Sequence, residues 1–75
     1  KLITIPVHDK HAWQSHPTIQ ERIRTVEAML HVRGRLSVRA SGTENAIRVM
    51  VEAETMDLVE EAITPVVQVI RETLA

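Results

Sequence analysis

The sequence predicts a small α+β domain in which an antiparallel sheet carries two helices on one face. Three short segments alternate apolar and polar residues with a period of two, as half-buried strands do. Two longer segments repeat apolar residues every three to four positions, as amphipathic helices do. The order along the chain is β-α-β-β-α, and placing both helices on one side of the sheet is the simplest way to bury their apolar stripes.

The first strand is predicted over Leu2–Val7, where the odd-numbered residues are apolar and form one face. Pro6 has no backbone donor, which favours an edge position or the end of the strand. The polar residues His8–Pro17 that follow predict a loop.

The first helix is predicted to begin at Thr18, because Thr18-Ile-Gln-Glu21 matches a capping box. We expect it to run to about His31, with Gly34 ending the region in a conformation of positive φ. Its apolar stripe consists of Ile19, Ile23, Val26 and Leu30.

A hairpin is predicted next, because two alternating runs are joined by a short polar turn. The apolar residues of its first strand are Leu36, Val38 and Ala40, and those of its second strand are Ile47, Val49 and Val51.

The second helix is predicted from about Thr55, with Thr55 or Asp57 as its N-cap. Pro65 lies inside the pattern and removes one donor, so we expect a kink or break near Glu61. The apolar stripe consists of Val59, Ile63, Val66, Ile70 and Leu74.

Composition limits the possible functions. A chain of 75 residues is a single domain, which buries roughly 60–65 % of its unfolded surface. The absence of cysteine excludes disulfides and thiolate metal sites and suggests a reducing compartment, the cytoplasm. A net charge of −1 lacks the basic excess of nucleic-acid-binding domains. No apolar run approaches the ~20 residues of a membrane span, so we expect neither nucleic acid nor membrane as a partner.

The tip of the hairpin is the most informative part of the chain. If the hairpin is symmetric about the Thr43–Glu44 bond, Arg39 lies opposite Arg48. Like charges that face each other across strands are destabilising, so an anion between the two guanidinium groups would explain the pair.

The turn itself also suits an anion. Ser41 and Thr43 carry hydroxyl donors, and Gly42 lets backbone N–H groups approach oxygen atoms without a Cβ in the way. The alternative is that the two arginines pair with Glu44 and Glu52 on a solvated face, with ordinary turn chemistry between them. The residues alone favour neither interpretation.

The segment from Gly34 to Glu44, G-R-L-S-V-R-A-S-G-T-E, and the run I-R-V-M-V-E that starts at Ile47 resemble the C-terminal domain of the α-D-phosphohexomutases. Within that family they are most similar to bacterial phosphoglucosamine mutases. The resemblance implies a fold like that of the TATA-binding protein and a chain that is the fourth domain of a larger enzyme, with residues 1–75 holding the phosphate of a phosphosugar.

The resemblance also implies a set of site residues. Glu44 would shape the turn, and Arg48 would be a supporting charge. Asn45 departs from the proline usual in phosphoglucosamine mutases, which predicts a looser loop with unchanged ligands. The phosphate ligands would be Arg39, Ser41, Gly42 and Thr43.

No catalytic or metal-binding residue is expected in this chain. Ser41 lacks an adjacent base, so it is no candidate nucleophile. By resemblance, the parent enzyme interconverts glucosamine 6-phosphate and glucosamine 1-phosphate for amino-sugar and cell-wall precursor synthesis. Its phosphoserine and Mg²⁺ ligands would lie in the other three domains. The same domain of a phosphoglucomutase or phosphomannomutase is an alternative.

Three further interpretations are weaker. His8, Asp9, His11 and His16 could suggest a metal, but they fall in a predicted loop without a second close pair, which favours solvated side chains. An RNA-binding module would stack bases on aromatic residues of the sheet, and Trp13 is the only aromatic residue of the chain. A protein-docking module that uses the open sheet face is the third alternative.

Overall fold

The predicted element order is confirmed by a computed structural model, which describes all 75 residues. Short 3₁₀ turns occupy Ala12–Ser15 in the loop after the first strand and His31–Arg33 after the first helix. The main elements are β1 (Leu2–Pro6), α1 (Pro17–Leu30), β2 (Gly34–Ala40), β3 (Ala46–Ala53) and α2 (Met56–Leu74).

The three strands form an antiparallel sheet in the order β1-β3-β2, so β3 is central. In the hairpin Val38 pairs with Val49, which confirms the predicted symmetry about the Thr43–Glu44 bond. The edge strand β1 ends at Pro6, one residue earlier than predicted. Val7 still donates its N–H to the Asn45 carbonyl at 2.9 Å, so the chain stays attached to the start of β3.

The core lies between the sheet and the two helices. Helix α2 packs on β1 and β3, and α1 packs on α2 and β2, so both helices cover the same face of the sheet. Ile47, Val49 and Val51 of β3 are completely buried there. The other face of the sheet, which we call the open face, carries no helix. No helix combines the length and the apolar character needed to cross a membrane.

Helix α1 begins earlier than the capping-box prediction. Pro17 is its first residue, and the Nδ1 atom of His16 accepts the Ile19 N–H at 3.5 Å. Proline is favoured at this first position, because its fixed φ suits the helix and its missing N–H would have no partner there. Thr18 is therefore already inside the helix, and its prediction as the N-cap was wrong.

The expected conformation of Gly34 was also wrong. Its φ of −178° is extended, and it is the first residue of β2. A Cβ at this position would lie 2.5 Å from the Glu52 carbonyl oxygen, so glycine is needed for close strand approach. The positive φ belongs to His31, at 48°.

Helix α2 is continuous through Pro65, so the predicted break near Glu61 does not occur. Ala62 and Ile63 on one side of the proline and Val66 and Val67 on the other are buried. This continuous apolar stripe holds both halves of the helix against the sheet. Of the two predicted N-caps, Thr55 is the one observed: its hydroxyl accepts the Leu58 N–H at 3.1 Å.

Candidate functional site

Arg39 and Arg48 are directly paired across β2 and β3. Directly paired residues project to the same side of a sheet, and here that side is the open face. Both arginines are exposed, and neither forms an ion pair. Glu52 instead pairs with Arg35, at 3.6 Å. The alternative in which the two arginines are neutralised by Glu44 and Glu52 is therefore not observed.

The two guanidinium groups border a concave surface. A shallow depression of about 270 Å³ lies on the open face and reaches β1 at its far side. Half-buried Met50 contributes an apolar part of its lining. The complete lining consists of Leu2, Ser37, Arg39, Arg48 and Met50.

The backbone of the turn is tied down at both ends. Ser41 donates its N–H to the Ala46 carbonyl at 2.9 Å, and Ala46 donates to the Glu44 carbonyl at 2.9 Å. Between these bonds, the N–H groups of Gly42, Thr43 and Asn45 donate to no group of the chain. Backbone N–H groups without partners in a short turn are the kind of donors that anion sites use.

Ser41 lies inside the turn and supports it. The residue is only 2 % exposed, and its hydroxyl oxygen accepts the Glu44 N–H at 3.4 Å. Its carbonyl accepts a hydrogen bond from the Lys10 ammonium at 2.7 Å. Thr43, by contrast, is exposed, and its side chain has no hydrogen-bond partner in the chain.

Gly42 differs from Gly34 in what surrounds it. A Cβ at Gly42 would meet no atom within 4 Å, and its φ is not positive. Neither packing nor backbone conformation requires glycine there, so the space above this residue is open to a molecule from outside the chain.

The histidine-rich loop is a structural segment. Asp9 accepts the His11 N–H through Oδ1 at 3.0 Å, and His16 caps α1. No group of three or more acidic or histidine side chains is placed to hold a metal ion. Trp13 packs, partly buried, against the core, and its Nε1–H has no partner.

The unpaired guanidinium groups and free backbone N–H groups are donors of the type that anions bind, and the turn contains no paired nucleophile and base. Of the five residues that the sequence analysis singled out, Arg39 and Arg48 face each other across the strands and border the depression. Ser41, Gly42 and Thr43 lie in the turn and outside the depression, and Ser41 is buried. The contact from Lys10 was missed, because a single lysine in a polar loop has no periodicity that links it to a turn 31 residues away.

The family model described as "Phosphoglucomutase/phosphomannomutase, C-terminal domain" matches residues 2–69. Among curated proteins, the phosphoglucosamine mutase of Lacticaseibacillus casei is 45 % identical over 99 % of this chain. That of Leuconostoc mesenteroides is 46 % identical over 96 % of it. The chain spans about 16 % of the length of these relatives.

Solved structures agree with these matches. The crystal structure of Aspergillus fumigatus N-acetylphosphoglucosamine mutase in complex with GlcNAc-6P and magnesium superimposes with a TM-score of 0.80 and 27 % identity. It aligns with 96 % of this chain, which corresponds to 15 % of that protein. An N-acetylglucosamine-phosphate mutase in its product complex, 32 % identical, superimposes with a TM-score of 0.74 over 93 % of this chain and 15 % of its own. This chain belongs to the phosphoglucomutase/phosphomannomutase family and corresponds to its C-terminal domain.

Proposed function

We propose that this chain is the domain of a phosphoglucosamine mutase that holds the phosphate group of the substrate. The parent enzyme, an isomerase that transfers phosphate intramolecularly, would interconvert glucosamine 6-phosphate and glucosamine 1-phosphate through a bisphosphorylated intermediate. The observation that carries the proposal is the pair Arg39 and Arg48, which have no carboxylate partner and lie beside a turn whose Gly42 and Thr43 N–H groups are free.

Each residue has a defined part in this binding. Arg39 would donate two parallel charge-assisted hydrogen bonds to phosphate oxygens, and Arg48 would add a second positive charge. Gly42 and Thr43 would donate backbone N–H groups, and the Thr43 hydroxyl would donate a further hydrogen bond. Ser41 would support the turn and offer its hydroxyl hydrogen.

Binding of this kind contributes to catalysis by positioning. A phosphate anchored at the turn lets the sugar reorient while the ester stays in place, and positioning can supply several kcal/mol of barrier reduction. The isolated chain would catalyse nothing, because the turn has no nucleophile and base pair.

The chemical groups of the reaction would come from the rest of the parent enzyme. Mg²⁺ and the phosphoserine would be held by the other three domains of that enzyme. In this scheme the chain binds the phosphosugar and packs against those domains. The enzyme would act in the cytoplasm, and this domain would need no cofactor of its own.

The test is steady-state kinetics of the full-length protein with glucosamine 6-phosphate. Arg39→Ala should lower kcat/KM by about 10- to 100-fold, as expected for the loss of a charge-assisted hydrogen-bonding group. Arg35→Ala is the matched control, because Arg35 lies on the same strand and face but pairs with Glu52 away from the turn. It should leave kcat/KM within about twofold. Equal effects of both substitutions would contradict the proposal.

The same assay with glucose 1-phosphate and mannose 1-phosphate distinguishes the alternative parents. A preference for either over the glucosamine phosphates would assign the domain to a phosphoglucomutase or phosphomannomutase, with the same role for the turn.

A further inference from the structure

We infer that Lys10 is a positioning residue of the phosphate site, and that its positive charge helps the turn to accept an anion. The inference rests on the proposed function of the turn. Its starting point is the hydrogen bond of 2.7 Å from the Lys10 ammonium to the Ser41 carbonyl. This is the one side-chain hydrogen bond that reaches the turn from outside the hairpin.

The charge of Lys10 has no partner within the chain. The ammonium forms no ion pair, and the neighbouring carboxylate of Asp9 accepts the His11 N–H instead. Lys10 is half-buried, which weakens the screening of its charge by water. The only hydrogen-bond partner of its ammonium in the chain is the Ser41 carbonyl, so its positive charge is not neutralised there.

Lys10 affects the turn through its hydrogen bond to the Ser41 carbonyl. The Ser41 carbonyl and the Gly42 N–H belong to one trans peptide group and point in opposite directions. The bond from Lys10 to the carbonyl polarises this group, so it makes the Gly42 N–H a stronger donor to an anion on the opposite side and fixes the peptide plane that leads into Gly42. Lys10 thus acts through the turn and need not contact the phosphate.

The charge balance of the site leads to the same conclusion. Arg39 and Arg48 together with Glu44 leave one net positive charge around the turn. Lys10 adds a further positive charge on the Ser41 side of the turn, which favours the approach of a phosphate monoester.

The test compares substitutions of Lys10 in the full-length protein, with glucosamine 6-phosphate as substrate. Lys10→Met keeps the apolar stem and removes the charge, whereas Lys10→Gln keeps a hydrogen-bond donor and removes the charge. Both should raise KM about five- to tenfold with kcat changed less than twofold, as expected for one partly screened charge. Lys10→Arg, which keeps the charge, should restore KM to within twofold of the wild type.

Lys1 provides the matched control, because it is the only other lysine and pairs with Glu60, on the α2 side of the sheet. Lys1→Met should leave KM unchanged. An unchanged KM in both uncharged Lys10 variants, an equal loss in Lys10→Arg, or an equal loss in Lys1→Met would overturn the inference. Arg39→Ala separates the two proposals: if it raises KM while the Lys10 variants do not, only the role of Lys10 fails, and if it leaves KM unchanged, the phosphate site itself fails.

Discussion

Arg39 faces Arg48 directly across the hairpin, and neither is neutralised by a carboxylate. Four positions earlier on the same strand, Arg35 faces Glu52 and pairs with it. The sheet therefore holds one balanced and one unbalanced cross-strand pair, and the unbalanced pair is the one beside the turn. Because like charges in this geometry are destabilising, the pair is an energetic cost to the free domain that a bound anion would relieve.

The two glycines should respond differently to alanine. Gly34→Ala places a Cβ against the backbone of β3 and should lower the free energy of unfolding by about 1–3 kcal/mol. Gly42→Ala meets open space and should leave stability unchanged or raise it by up to about 1 kcal/mol. It should nevertheless weaken phosphosugar binding, because its methyl group occupies the space where the phosphate would lie. Urea denaturation and calorimetric titration measure the two effects, and a large stability loss in Gly42→Ala would contradict this account.

Ser41 and Thr43, the two hydroxyl residues of the turn, should also differ in how their substitution affects stability. Ser41→Ala removes the acceptor of the Glu44 N–H from a buried position. It should therefore lower the free energy of unfolding by about 0.5–1.5 kcal/mol, and it should also weaken phosphosugar binding. Thr43→Val alters an exposed side chain without intrachain partners and should change stability by less than about 0.5 kcal/mol. Its effect should appear only in the affinity for the phosphosugar. Thermal denaturation with and without ligand measures both, and equal stability losses would be inconsistent with an internal role for Ser41.

His31 is strained, because it is the only non-glycine residue with positive φ. His31→Gly should raise the free energy of unfolding by about 1 kcal/mol, since glycine adopts this conformation without steric cost. Neighbouring Val32, 84 % exposed and with ordinary φ, is the control: Val32→Gly should lower stability. A stability loss in His31→Gly, measured by urea denaturation, would show that the strain is absent.

The N-cap of α2 gives a prediction that is independent of ligand. Thr55→Ala removes the acceptor of the Leu58 N–H and should lower the free energy of unfolding by about 1 kcal/mol. Thr64→Ala, at an exposed position inside the same helix, should not destabilise, because alanine has the higher helix propensity. If the two substitutions have equal effects in thermal denaturation, Thr55 does not cap the helix.

The strand register could be predicted from sequence because two constraints agree. The alternation that buries Val38 and Val49 and the symmetry of the turn both place these residues opposite each other. Helix ends were less predictable. Pro17 was a valid start signal, but the stronger-looking pattern of Thr18 and Glu21 competed with it.

Two tertiary contacts could not be predicted from the sequence. The need for glycine at Gly34 depends on a carbonyl of β3, and the contact of Lys10 with Ser41 depends on how the loop after β1 returns to the hairpin. Neither has a local signal. The continuity of α2 through Pro65 was decided by burial on both sides of the proline, which outweighed the local cost of the missing donor.

A crystal structure of the full-length protein with glucosamine 6-phosphate would show whether the hairpin turn holds the phosphate. We expect phosphate oxygens at about 3 Å from the backbone nitrogen of Gly42 and from the guanidinium of Arg39. A phosphosugar whose phosphate is held entirely by other domains, with water at the hairpin turn, would contradict it.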